Sequence, residues 1–185
     1  MALEATFRNL SVSLDQLHEA FSTLDLMFGD KPADRELALI DAMENSLLDT
    51  IGELYGAKKA ALDARKSVGL QPDLNNARVA LTTCQQYFHR VEQHFALDLV
   101  SYEKLKELVR LGEKGKEWRS WAERIRKDIE QCRQPLEQTR GVLGNCWEEL
   151  SERLGTTSIS VRNVVGQKII AGRVRTKNEI AERMT

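Results

Sequence analysis

Residues 74–109 read LNNARVALTTCQQYFHRVEQHFALDLVSYEKLKELV. With one exception, apolar side chains recur here in alternating steps of three and four residues, at positions 74, 77, 81, 84, 88, 91, 95, 98, 102, 105 and 109. The exception is Asp98. This spacing lines one face of an α-helix that packs against other helices. We therefore predict a helix over about 72–111 with a single charged side chain on its buried face.

The same spacing occurs in three further segments. The first predicts a helix over 2–28 with its buried face formed by Leu3, Phe7, Leu10, Leu14, Leu17, Phe21, Leu24 and Phe28. The second predicts a helix over 32–68 with its buried face formed by Leu37, Ile40, Glu44, Leu47, Ile51, Leu54, Lys58 and Ala61. The last predicts a helix over 116–154 with its buried face formed by Trp118, Ala122, Ile125, Ile129, Cys132, Leu136, Thr139, Leu143, Cys146 and Leu150.

Glycine and proline separate these segments. Residues 29–32 (Gly-Asp-Lys-Pro) and 69–72 (Gly-Leu-Gln-Pro) each join a glycine suited to a helix end to a proline suited to the next first turn. Gly112 and Gly115 coincide with a phase slip in the spacing. Because short connections place consecutive helices antiparallel, we predict an all-α, up-down-up-down four-helix bundle over residues 1–155. A spectrin-like or open hairpin assembly that dimerises is the rival, so a homodimer stays open.

Length and composition fit a globular chain. The 185 residues are 42% hydrophobic and 30% charged, with a net charge of −1. This balance argues against disorder and against nucleic-acid binding by the whole molecule. The apolar runs are far shorter than the roughly 20 residues of a membrane-spanning helix. Three cysteines without a C-x-x-C pair, and no secretory signal at the N-terminus, predict a reducing, cytoplasmic location.

Charge is unevenly distributed along the chain. Residues 156–185 hold six Lys or Arg residues against two Glu, a net of +4, which leaves −5 on the first 155 residues. One interpretation folds this basic segment back onto the bundle, with a capping-box pattern at residues 176–179 that predicts a short final helix. The other interpretation is a basic arm that binds an acidic partner. The candidate partner-binding residues of that arm are Arg162, Lys168, Arg173 and Arg175.

Polar residues at helical positions give a second hypothesis, a ligand- or metal-binding bundle. Its candidate residues are Asp15, His18, Glu44 and Asp98, since helical bundles hold metals with inward carboxylates and histidines. No Glu-x-x-His motif accompanies them, and Lys58 offers a cation that would satisfy a buried carboxylate without a metal. Whether Glu44, Lys58 and Asp98 form a buried polar network is left open. We predict no metal and no cofactor.

Known catalytic motifs are missing from the sequence. It contains no Gly-x-Ser-x-Gly, no glycine-rich phosphate loop and no Rossmann fingerprint. Cys84, Cys132 and Cys146 all fall on predicted buried faces, where a thiol behaves as a small hydrophobe. The sequence therefore predicts that the protein is not an enzyme.

The leading hypothesis is a non-catalytic protein–protein interaction module of the adaptor or scaffold type. Its binding site would be a bundle surface, the basic segment, or both. Trp121 lies off the predicted buried face of the fourth helix, which leaves two interpretations. One is packing at the edge of the core with the indole N–H in contact with water, and the other is an exposed partner-binding anchor, since tryptophan is enriched at binding hot spots. A third hypothesis is contact with a membrane surface or nucleic acid through the basic segment. It is disfavoured because no aromatic residue follows Trp147.

Overall fold

The computed structural model describes residues 2–29, 38–69, 72–111 and 116–155. Four α-helices account for almost all of these ranges: α1 (Ala2–Gly29), α2 (Ala38–Ser67), α3 (Leu74–Leu111) and α4 (Lys116–Arg153). No strand occurs within them, and the all-α prediction is confirmed. The predicted first turns of the second helix, 32–37, and the whole basic segment, 156–185, lie outside the described residues.

Three of the four helices bury the face that the heptad spacing predicts. All eight predicted positions of α1 are buried. On α3 every predicted position after Leu74 is buried, Asp98 included, and the nine predicted positions of α4 up to Cys146 are buried as well. A fully buried Leu, Ile or Phe stabilises a fold by roughly 1.5–3 kcal/mol. These faces are therefore where the bundle gains its hydrophobic stabilisation.

The predicted buried face of α2 is wrong at every second position. The structure buries the preceding residue in each case, with Met43 in place of Glu44, Thr50 in place of Ile51 and Ala57 in place of Lys58. Ile51 and Lys58 are only partly buried. After Ile40, Leu47 and Leu54 the prediction stepped four residues along the helix, whereas the structure steps three. The buried face therefore includes several small residues, namely Thr50, Ala57, Ala60, Ala61 and Ala64. Small side chains let neighbouring helices approach closely.

Polar contacts in the bundle interior set the direction of α4 against α1. The hydroxyl groups of Ser13 and Thr139 share a hydrogen bond of 2.7 Å, and both residues are buried. Near the C-terminal end of α1, the indole N–H of Trp121 donates to the backbone oxygen of Met27 at 3.1 Å. Residue numbers thus rise along α1 as they fall along α4, and the two helices are antiparallel.

Ion pairs join the other neighbouring helices at the surface. They are Lys58–Asp15 between α2 and α1 (2.7 Å), Arg90–Glu53 between α3 and α2 (2.7 Å), and Arg140–Glu92 between α4 and α3 (2.6 Å). Across the diagonal of the bundle, the rings of Phe21 on α1 and Phe95 on α3 meet edge to face, with centroids 5.9 Å apart. The structure is therefore the antiparallel four-helix bundle that the sequence predicts.

The turn between α2 and α3 shows how one helix ends and the next begins. The backbone N–H of Asp73 donates to the Ser67 oxygen at 2.8 Å and closes the turn. The Asp73 carboxylate then accepts a hydrogen bond from the backbone N–H of Asn76 at 3.0 Å. Asp73 thereby caps the first turn of α3, directly after Pro72.

The chain divides into two compact units, residues 1–147 and 148–185. The first unit contains α1 to α3 and α4 as far as Trp147, and the contacts given above all lie within it. The described part of the second unit is the last turns of α4 and a short turn. That turn ends at Gly155, whose φ of 67° suits glycine at the end of a helix.

Gly52 and Gly56, one turn apart on α2, lead to opposite predictions. A Cβ atom at Gly56 would fall on the Tyr87 ring of α3, whereas one at Gly52 meets nothing within 4 Å. Since glycine costs a helix interior about 1 kcal/mol relative to alanine, we expect Gly52→Ala to raise the free energy of unfolding by about that amount. Gly56→Ala should lower it by roughly 1–3 kcal/mol through overpacking. Urea denaturation checks both, and a stabilised Gly56→Ala would contradict the close packing of Tyr87.

Candidate interaction surface

Trp121 is not exposed, and the expectation that it anchors a partner at the surface is wrong. Its side chain is fully buried. The indole ring packs edge-on against Phe28, with centroids 5.8 Å apart, and against Trp118 at 5.6 Å, while its N–H is bound to Met27. Trp121 therefore belongs to the core where α1 ends and α4 begins.

The residues of the metal hypothesis lie at two separate levels of the bundle. Asp15 is paired with Lys58, and the His18 ring on the same stretch of α1 packs edge-on against Tyr55 at 4.6 Å. Asp98, in contrast, interacts with Ser46. Lys58 and Ser46 are twelve residues apart on α2, which corresponds to about 18 Å along the helix. The structure therefore does not bring the four candidate residues together.

No group of three or more His, Cys, Asp or Glu side chains within the described ranges is arranged to hold a metal ion. Glu44 and Lys58 lie at the edge of α2 rather than in the core. The question of a buried network of Glu44, Lys58 and Asp98 is thereby answered, because Asp98 alone of the three is buried. Burial lowers the pKa of the His18 imidazole on α1, and the charge of Lys58 lowers it further.

Asp98 is the one charged side chain in the described core, at 5% exposure. Burial raises the pKa of its carboxyl group to about 6, and the Ser46 hydroxyl and the His94 ring oppose this shift. The Ser46 oxygen is itself buried, and its geometry gives no good hydrogen bond among the described residues. A cavity of about 10 Å³ adjoins the carboxyl group, and its walls are Leu24, Phe28, Met43, Leu47, Phe95, Asp98 and Ile129. Such a volume is at the lower limit for one water molecule.

The cysteine thiols are held in unreactive surroundings. Cys84, Cys132 and Cys146 are all buried. Burial raises the pKa of the Cys84 and Cys132 thiols to about 12, and the charges of Asp128 and Asp98 add to the effect at Cys132. Since the thiolate is the nucleophilic form, neither of these two thiols is poised for covalent chemistry.

The described helices differ in whether their outer faces carry large exposed apolar residues. Nine large apolar side chains of the described residues are exposed, namely Val12, Leu26, Leu48, Tyr55, Leu62, Val79, Leu97, Val100 and Leu108. They are distributed over α1, α2 and α3. In the described part of α4 none is exposed. Among the described residues, large exposed apolar side chains therefore occur on α1, α2 and α3 and not on α4.

A shallow, open groove of about 840 Å³ follows the C-terminal half of α3. Its lining residues are Leu39, Leu99, Val100, Glu103, Lys104, Glu107 and Leu108. Val100 and Leu108 are about half exposed, and Leu97, one turn before Val100, is 63% exposed. The sequence reasoning missed these residues because it followed only the buried face of this helix. A second apolar spacing of three and eight residues at 97, 100 and 108 was the available signal.

The partner-binding residues predicted in the basic segment, Arg162, Lys168, Arg173 and Arg175, lie outside the described residues. None of the helices in the described ranges is both long and apolar enough to cross a membrane. No protein-family model, curated protein or solved structure matches this chain significantly. The fold and its surface chemistry are therefore the basis on which a function is proposed.

Proposed function

We propose that this chain is a non-catalytic helical bundle that binds another protein through the apolar face of α3. The observation that carries the proposal is the groove beside Val100 and Leu108, on a bundle whose described α4 residues include no large exposed apolar side chain. Exposed apolar groups that cluster in a groove are typical of protein-binding surfaces. The buried, high-pKa thiols support a role other than nucleophilic catalysis, and they fit a reducing, cytoplasmic location.

An amphipathic helix is the partner that fits this groove best. Leu97, Val100 and Leu108 extend over twelve residues of α3, or about 16 Å from first to last, which matches about three turns of a partner helix. Such helices insert apolar residues at spacings of three, four and seven into grooves of this kind. The lining holds two carboxylates, Glu103 and Glu107, against one ammonium group, Lys104, which favours a partner that carries Lys or Arg beside its apolar face.

A photo-crosslinking amino acid placed at position 100 tests the groove. We expect position 100 to form a covalent adduct with another protein in a lysate from the natural source, because partner side chains lie over the groove. The same amino acid at the exposed Gln134 of α4 should give no such adduct. Leu97→Glu combined with Leu108→Glu should abolish the adduct at position 100 and leave the helical circular dichroism spectrum unchanged.

Two results would contradict the α3 groove as a binding site. One is an adduct that persists in the Leu97→Glu/Leu108→Glu variant, since the apolar contacts would then be irrelevant. The other is an adduct from position 100 only to the chain's own residues 156–185, which would make the groove an internal contact.

The basic segment, residues 156–185, is the second binding surface that we propose, and its net charge of +4 supports this role. We expect replacement of Arg162, Lys168, Arg173 and Arg175 by Gln to weaken partner binding if the partner is acidic. The loss should shrink as salt is raised, since charge attraction is screened. A neutralised variant that binds the same partner with unchanged affinity would remove the basic segment from the proposal.

A further inference from the structure

A second apolar stripe lies on α2, away from the α3 groove. Leu48, Tyr55 and Leu62 are spaced seven residues apart, and their exposures are 55%, 59% and 44%. Seven residues are two helical turns less about 20°, so these side chains share one face of the helix. We call these three residues the α2 stripe. It is a heptad seam with no partner helix over it among the described residues.

Two exposed apolar residues of α1 lie level with the ends of the α2 stripe. Asp15 pairs with Lys58 and His18 with Tyr55, which fixes the antiparallel register of α1 against α2. That register places Leu26 at the level of Leu48, and Val12 at the level of Leu62. Leu26 is 73% exposed and Val12 is 50% exposed. Two exposed apolar side chains of α1 thus lie level with the two ends of the stripe.

Charge along α2 changes sign at the middle of the stripe. Residues 38–53 contain four carboxylates and no Lys or Arg, whereas residues 54–67 contain four Lys or Arg and one Asp. The ring of Tyr55 stands at the boundary, between His18 at 4.6 Å and the Lys58 ammonium group at 5.8 Å. A second helix with the same charge distribution is attracted when it runs antiparallel and repelled when it runs parallel.

We propose that the α2 stripe binds the α2 stripe of a second copy of this chain, antiparallel about a two-fold axis through Tyr55. This arrangement places Leu48 against Leu62 of the second copy and Tyr55 against its own equivalent. Glu44 then lies at the level of Lys66 of the second copy. The stripe is self-complementary because it reads Leu-Tyr-Leu in both directions, which is the requirement for a two-fold interface.

The proposal is independent of the α3 groove, to which α2 contributes only Leu39, nine residues before Leu48. Self-association leaves Val100 and Leu108 accessible, so one surface can fail its test while the other passes. Tyrosine at the centre of an interface is a frequent hot spot, and leucines around it exclude water. The apolar residues of the α2 stripe hold the two copies together, while the two oppositely charged halves of α2 favour the antiparallel orientation.

Sedimentation of the full chain over a range of concentrations tests self-association. We expect a monomer–dimer equilibrium in which Tyr55→Glu raises the dissociation constant about 30-fold or more, as for a central hot spot. The introduced glutamate places a charge in an apolar contact. The two-fold axis also sets it opposite the same glutamate of the second copy, so the two charges repel each other. Val79→Glu is the matched control, since it adds the same charge at an exposed position of α3 and should leave the dissociation constant within about twofold.

Cysteine cross-linking with a short bis-maleimide tests the antiparallel register. Tyr55→Cys should cross-link to itself, because this position lies on the axis. Leu48→Cys should not cross-link to itself but should cross-link to Leu62→Cys when the two variants are mixed. The natural cysteines are buried and give a low background.

Four outcomes overturn the proposal. A chain that stays monomeric up to millimolar concentration has no such interface. A dimer that Tyr55→Glu and Val79→Glu weaken equally uses another face, and a Leu48→Cys variant that cross-links to itself indicates parallel pairing. A monomer whose stripe is covered by a different protein would also exclude the second copy as the occupant.

Discussion

At pH 8 the Asp98→Asn variant is expected to be more stable than the wild-type chain, while at pH 4 the advantage should be gone. Asp98 is buried on α3, and the pKa of its carboxyl group is raised from 3.8 to about 6. Above pH 6 the folded bundle must hold a carboxylate in apolar surroundings. An amide of nearly the same shape carries no such charge.

The direction of the pH dependence follows from proton binding. Below about pH 4 the Asp98 carboxyl is protonated in both the folded and the unfolded chain, and folding pays no charge penalty. Between pH 4 and pH 6 the folded chain keeps a proton that the unfolded chain has lost, so stability falls as the pH rises. A pKa difference of about two units corresponds to about 3 kcal/mol. This contribution is present below pH 4 and is lost as the pH passes through 6.

Urea denaturation of both proteins between pH 4 and pH 8 measures this effect. The quantity of interest is the wild-type stability minus the Asp98→Asn stability, which should fall by about 2–3 kcal/mol over that range. Any pH-independent cost of the buried amide cancels from the change. Asp49→Asn is the control, since Asp49 is exposed on α2 and should track the wild type within about 0.5 kcal/mol. A difference that does not vary with pH would contradict a buried, protonated Asp98.

Trp121→Ala is expected to be the most damaging of the single substitutions considered for this bundle. Its side chain is fully buried against Phe28 and Trp118. Truncation of such a residue removes the transfer energy of the ring and leaves a cavity, with a typical cost of about 3–5 kcal/mol. Trp121→Phe should cost less, because a ring remains, but it loses the hydrogen bond to the Met27 oxygen.

Thermal and urea unfolding of both Trp121 variants measure the cost. Arg119→Ala is the control, because Arg119 is exposed one residue beyond Trp118 and should change the stability by less than about 0.5 kcal/mol. A Trp121→Ala chain of near wild-type stability that fails to bind its partner would contradict the core position and restore this residue as a surface anchor.

The fold was predictable where large apolar residues alone mark the buried face. On α1 the leucines and phenylalanines repeat without interruption, and no competing stripe of that regularity occurs on the helix. On α2 two faces share Ile40, Leu47, Leu54 and Ala61, and the spacing of three and four residues fits both. The prediction chose the face with Ile51, but the packing of α2 against its neighbours buries the face with Thr50 and Ala57. Side-chain size at the contact decides this, and the contact is not visible in one helix alone.

The same limit explains what was missed at the surface and at the core boundary. The seven-residue spacing of Leu48, Tyr55 and Leu62 is present in the sequence. These residues form an exposed stripe because α2 turns its alanines toward the core. Trp121 lies off the main heptad of α4, and its burial depends on Phe28 at the end of another helix. Neighbouring helices, rather than local pattern, determine both features.

The hydrogen bond between Ser13 and Thr139 fixes how far α4 can slide along α1. A heptad pattern by itself tolerates displacement by seven residues, because leucine then meets leucine again. Such a slip would place Ser13 opposite Cys132 or Cys146 and leave a buried hydroxyl with a poor partner, at a cost of about 1–3 kcal/mol. Two small hydroxyl groups therefore select one alignment from several that the apolar residues would accept.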